Sequence, residues 1–117
     1  MREEEKRILR ELEEFAKQNT NRPTPELDKL QRYLEEHNVP YQRTDEEPYG
    51  LITIDRHQII VFNAEGLRLW DAICHYGSYG YKEGLLEIYG ILCTDVEGCL
   101  TAEEVIKKWE DFNANKQ

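Results

Sequence analysis

Residues 49–71 read YGLITIDRHQIIVFNAEGLRLWD. In this stretch the helical spacing of apolar residues gives way to short runs of Ile, Val, Phe and Leu punctuated by polar turns. The runs 49–55 and 58–63 have strand composition, as does 39–44 upstream, and Leu67–Asp71 makes a fourth. Asp55-Arg56-His57 is predicted as the exposed tip of one hairpin. Asn63-Ala64-Glu65-Gly66 is the next turn, with Gly66 free to take a positive φ. Connections this short join antiparallel neighbours, because a parallel pair needs a crossover of about a dozen residues. The middle of the chain, 39–72, is therefore expected to form a three- to four-stranded antiparallel meander with one face free for helices.

Toward the N-terminus, Ile8, Leu9, Leu12, Phe15 and Ala16 form one apolar stripe over residues 2–18. Pairs such as Glu3–Arg7 and Glu13–Lys17 lace the remaining surface. NTNRPTP breaks the pattern. Thr24 then offers an N-cap and Pro25 a first helical residue. Leu27, Leu30 and Leu34 continue a second helix over 25–37, which Asn38 stops in a left-handed conformation. Residues 1–38 are expected to pack as an antiparallel helical hairpin.

Toward the C-terminus, Leu85, Leu86, Ile88, Tyr89 and Leu92 predict a buried helix over 82–92. Thr101 and Glu104 form a capping box ahead of a last helix striped by Val105, Ile106, Trp109 and Phe112. The terminal NANKQ is expected to fray. The order αα-ββββ-αα segregates helices from an antiparallel sheet, so the fold class is α+β in a single domain, 1–117.

The chain has 117 residues, 33% of them charged, and a net charge of −9. Residues 1–47 carry thirteen acids and nine bases, whereas 83–111 carry eight acids against Lys107 and Lys108. An acidic field repels phosphate, so direct binding of nucleic acid or of an anionic membrane is not expected, and a protein partner with a basic surface is. Solubility alone also accounts for acidic surfaces. No run approaches the roughly 18 apolar residues of a membrane span, and MREEEKRILRELEEF lacks the form of a signal peptide, so the expected place is the cytoplasm. Cys74, Cys93 and Cys99 have no metal-site spacing and are expected as reduced thiols.

No catalytic constellation emerges, and neither an enzymatic activity nor a cofactor is expected. Cys74-His75 are sequence neighbours and diverge on either a helix or a strand. CTDVEGCLTAEE, residues 93–104, fits an EF-hand loop at Asp95, Glu97, Gly98, Thr101 and Glu104, with helices predicted on both sides. Cys93 at its first position removes a hard oxygen ligand. A turn at Gly98 followed by a helix cap explains the same residues, and a degenerate calcium-responsive loop is the alternative.

The segment WDAICHYGSYGYKEGLLEIYG, residues 70–90, interleaves glycine and tyrosine. Tyr76, Tyr79 and Tyr81 are candidate contacts, rigid rings with hydroxyls that suit recognition. Glu83, Glu87, Asp95 and Glu97 are candidate electrostatic guides. Trp70 and Tyr89 suit a core. Trp70-Asp71-Ala72, Gly77-Ser78-Tyr79-Gly80-Tyr81 and Gly84-Leu85-Leu86-Glu87-Ile88, with Glu97-Gly98 and Leu100-Thr101-Ala102-Glu103-Glu104-Val105, resemble a family of small prophage and mobile-element proteins of Firmicutes. The resemblance spans about residues 58–106 and carries no activity or functional residue. It implies a small cytoplasmic protein of a bacterial host, a regulator or inhibitor of host machinery. Anti-CRISPR inhibitors are among such proteins, and some imitate nucleic acid with acidic surfaces. The first reading is thus a non-enzymatic interaction module, and acidic mimicry is an alternative to it.

Overall fold

The computed structural model describes residues 2–115 and has the element order α1 (Glu3–Gln18), α2 (Pro25–Glu36), β1 (Tyr41–Tyr49), β2 (Ile52–Phe62), β3 (Arg68–His75), β4 (Leu86–Gly90), β5 (Glu97–Leu100) and α3 (Ala102–Ala114). The strands lie in sequence order in one antiparallel sheet, so the α+β class and the meander hold. Among the described residues the sheet has five strands, and a single helix follows it. The expected fraying covers Asn113 and Ala114, which are helical; residues 116 and 117 lie outside the described residues.

One face of the sheet carries the core. Leu27, Leu30 and Leu34 of α2 pack with Ile59, Val61, Trp70, Ala72, Leu86, Ile88 and Leu100 from the strands and with Ala102 and Val105 of α3. Fully burying one Leu, Ile or Val side chain contributes roughly 1.5–3 kcal/mol, so this set is what closes α2 and α3 onto the sheet. Pro25 starts α2, and Asn38, at φ 55°, follows its end. Thr24 precedes α2 without a side-chain capping bond; its Oγ1 accepts instead from Arg43 Nη2 at 3.1 Å. The Thr101–Glu104 capping box opens α3, with both reciprocal bonds formed.

Three expectations are corrected. Asp55-Arg56-His57 is not a hairpin tip; it lies within the 11-residue β2, and the turn falls at Gly50-Leu51. Asp55 and His57 share the inward phase of Ile59 and Val61, and both are buried. Polar side chains at inward positions disguised a continuous strand as a turn.

Residues 82–92 are not a helix. A single tight turn, Tyr81–Glu83, is bracketed by left-handed Gly80 and Gly84, and the chain then enters β4. Leu86 and Ile88 point inward while Tyr89, expected in the core, is 61% exposed. Period two overrides the apparent helical stripe because β3 offers an open edge, pairing Ala72 with Ile88 and Trp70 with Gly90. Gly90 is required there: at φ 125° a Cβ would stand 2.5 Å from the Leu69 carbonyl oxygen and 2.7 Å from Trp70 Cα.

The N-terminal hairpin does not form. None of the described residues of α1 is buried, and it meets the body near its C-terminal end, against β2. The molecule measures 64 × 27 × 25 Å, the long dimension reflecting this projecting arm.

Candidate interaction surface at the root of the projecting helix

Asp55, on the inward face of β2, organises the root of α1. Its two carboxylate oxygens accept from the backbone N–H of Asn21 at 3.0 Å and of Arg22 at 2.9 Å. Asn21 takes a positive φ of 56°, which turns both amides toward the same anion. The Asp55 amide donates to the Asn19 carbonyl at 2.7 Å, so the breaker segment is stitched to β2 from both sides. Buried Asn19 accepts from the Tyr81 hydroxyl at 2.7 Å and donates to the Phe15 carbonyl at 2.8 Å. Arg22 stacks over the Tyr81 ring at 4.3 Å, a cation–π contact, and donates to the Lys82 carbonyl at 3.3 Å.

The glycine–tyrosine loop is latched on its other side. The Ser78 hydroxyl donates to the His75 carbonyl at 2.7 Å and accepts from the His75 amide at 3.1 Å. The Tyr79 amide donates to Glu87 Oε1 at 3.0 Å, and the Tyr79 carbonyl accepts from Cys99 N–H at 3.2 Å. Gly98 lies directly against the Tyr79 side chain, where any Cβ would collide. The GSYGY and EG-x-L stretches thus meet in space across β5.

Tyr76 and Tyr79 are left outward, 57% and 67% exposed, while Tyr81 is buried. Phe15 of α1 stacks on Tyr49 at 5.0 Å and meets Tyr76 edge-on at 4.9 Å. A cleft of about 560 Å³ lies beside this aromatic platform, lined by Tyr76–Glu83 and by Gln18, Asn19 and Arg22. Four expected site residues, Tyr76, Tyr79, Tyr81 and Glu83, therefore line one cleft. Glu87 acts behind it as the acceptor for Tyr79. Asp95 and Glu97 do not line it: Asp95 accepts from the Val96 amide at 2.7 Å, and Glu97 pairs with Lys108 of α3 at 2.9 Å. Asn19, Arg22 and Tyr49 belong to the site and lie in no motif; Phe15 reads only as part of the α1 stripe and Asp55 only as part of an exposed turn, and the tertiary contact alone brings the five together.

Deeper in the same face, His57 Nδ1 lies 2.8 Å from Asp45 Oδ1 and His57 Nε2 lies 3.3 Å from Asp55 Oδ2. Among the described residues His57 Nε2 has no hydrogen-bond partner, the second contact being poorly aligned. Burial disfavours the charge of Asp45, but hydrogen bonds from His57 and Arg43 outweigh it and hold the carboxyl below its ordinary value. Cys74 faces His57 across the strand pair. Burial pushes the Cys74 thiol up, with Arg22 opposing and Asp55 reinforcing, so this is a protonated core thiol rather than an activated nucleophile. His75 turns the other way, its Nδ1 lying 3.0 Å from the Tyr76 carbonyl oxygen.

The EF-hand frame is not formed at 93–104. β4 replaces the expected leading helix, Glu97–Leu100 is a strand, and Glu104 is bound to Thr101 in the cap. Among the described residues, no group of three or more His, Cys, Asp or Glu side chains is placed to hold a metal ion. No protein-family model, curated protein or solved structure matches the chain.

Proposed function

We propose that this chain is a protein-interaction module whose contact surface runs from the apolar stripe of α1 onto the platform of Phe15, Tyr49, Tyr76 and Tyr79. The observation that carries this reading is α1 itself: a 16-residue amphipathic helix with no buried residue among those described, ending in stacked aromatics. An apolar stripe left in water is unfavourable unless something covers it. Tyrosine rings held by a latched loop lose little entropy on binding.

The proposed role is that of a regulator or inhibitor, of phage or mobile-element origin, that occludes a bacterial host protein. The acidic C-terminal third guides a basic partner and raises the on-rate. Acidic mimicry of nucleic acid is less favoured. It needs a free row of carboxylates, whereas Glu87, Glu97, Glu104 and Asp111 are bound by Tyr79, Lys108, Thr101 and Lys107. Among the described residues no helix is long and apolar enough to cross a membrane.

Affinity capture from bacterial lysate tests the reading, with wild type compared against Tyr76→Ala/Tyr79→Ala. Both rings are exposed, so the variant keeps the fold. Loss of paired hot-spot rings is expected to weaken retention of the captured protein by about 30-fold or more. Equal retention by the variant contradicts the proposal.

A further inference from the structure

We propose that the partner covering α1 is a second copy of this chain, the two helices packing antiparallel about a two-fold axis near Leu9 and Arg10. This rests on the interaction reading and divides its surface: the second copy takes the α1 stripe, and exposed Tyr76 and Tyr79 stay with the host protein. The apolar face of α1 is continuous: Ile8 is 49% exposed and Leu9 37%, with Leu12, Phe15 and Ala16 half-buried along the same stripe. The body covers the stripe only at its Phe15 end, where Tyr49 and Tyr76 pack, and leaves Ile8 and Leu9 open.

Charge selects the occupant. Residues 2–18 carry five bases and six acids, a mixed pattern unlike the acidic stretch at 83–111. Lys6 and Glu13, one heptad apart, flank one shoulder of the stripe; Arg7 and Glu11 flank the other. A two-fold antiparallel pair sets each shoulder against its own copy. Lys6 then exchanges its exposed contact with Glu3 for the partner copy's Glu13, Arg7 exchanges its own Glu11 for the partner copy's Glu11, and symmetry repeats both pairs. A parallel pair instead sets Glu5, which lies on the stripe, against itself. An anionic membrane is disfavoured by Glu3, Glu4, Glu5, Glu11, Glu13 and Glu14.

The register also completes the buried area. α1 is about 24 Å long, and a stable homodimer buries on the order of 800 Å² per partner, more than one short helical seam supplies. With that axis Glu3–Glu5 of one copy stand opposite residues 14–16 of the other, at the edge of its aromatic platform. The acidic first turn, Glu3–Glu5, then lies beside the cleft of the other copy, whose lining cations are Arg22 and Lys82.

Sedimentation equilibrium of the full chain from micromolar to several hundred micromolar tests this, with Leu12→Asp, Lys6→Glu and Lys6→Glu/Glu13→Lys alongside wild type. Wild type is expected at twice 13.9 kDa at the upper concentrations. Leu12→Asp is expected to stay monomeric with an unchanged near-ultraviolet spectrum, since Leu12 lies outside the core cluster. Lys6→Glu should weaken pairing about tenfold, having two symmetric copies to lose, and the double reversal should restore it. A monomeric wild type, a dimer indifferent to Leu12→Asp, or no rescue by the double reversal overturns the proposal. The capture experiment separates the two readings. A monomer that still retains a host protein through Tyr76 and Tyr79 overturns self-pairing alone. Wild type whose α1 stripe instead binds anionic phospholipid vesicles overturns it as well.

Discussion

Asp55 shows how one carboxylate can hold an arm to a body. It is buried, it closes the turn at Asn21 and Arg22, and its own amide holds Asn19. Hydrogen bonds to a charged group contribute roughly 1.5–3 kcal/mol, and stripping the anion leaves two amides without their acceptor. Asp55→Ala is therefore expected to lower stability by about 3 kcal/mol in urea unfolding. It also frees the 19–22 segment, so Tyr81 loses its Asn19 partner. Asp45 behaves in the matching sense. Its carboxyl is held below its ordinary value, so its contribution is present above the unfolded-state value and is lost as pH falls through the folded one. In sequence, Asp55-Arg56-His57 reads as a solvated turn, because a buried anion is rare and nothing local announces its partners. The acceptors of Asn21 and Arg22 lie more than thirty residues away in the chain.

At the scale of elements, α2 and α3 are clasped at their exposed ends by Tyr33, whose hydroxyl donates to Glu110 Oε2 at 3.1 Å. Burial first, then the hydrogen bond and charge of Glu110, push the Tyr33 phenol up to about 12 from an ordinary value of 10.0. The neutral phenol is the form the fold favours. Its contribution is complete below pH 10 and disappears as pH rises through about 12. Stability measured across that window should fall less steeply for Tyr33→Phe than for wild type. An equally steep fall would show that the clasp is not formed. The elements that carry this clasp were legible: Pro25 and the three leucines fixed α2, and the Thr101–Glu104 box fixed the start of α3. β4 was not. Leu85, Leu86, Ile88, Tyr89 and Leu92 satisfy a helical stripe and a strand alternation together, and only the open edge of β3 decides between them. That choice exposed Tyr89 and removed the helix needed for an EF-hand frame.

The whole molecule divides into a five-stranded body roofed by α2 and α3 and an amphipathic arm rooted at the tyrosine cleft. Its candidate surface was half legible. The clustering of Tyr76, Tyr79 and Tyr81 pointed to the loop, but the separation of exposed Tyr76 and Tyr79 from structural Tyr81 depends on Asn19 and Arg22. The stripe of α1 was plain in the sequence; that among the described residues the body reaches only its Phe15 end was not, since a following helix with its own leucine stripe suggested a hairpin. α1 is expected to lie outside the cooperative core, with its stripe from Ile8 to Leu12 covered by a second copy. Hydrogen–deuterium exchange of the full chain at low and high concentration tests it directly. In dilute protein the amides of residues 7–15 should exchange far faster than those of Leu30 and Leu34, and slow markedly as concentration rises, while β2 and β3 do not change. Amides of α1 as protected as those of α2 at every concentration would contradict the account.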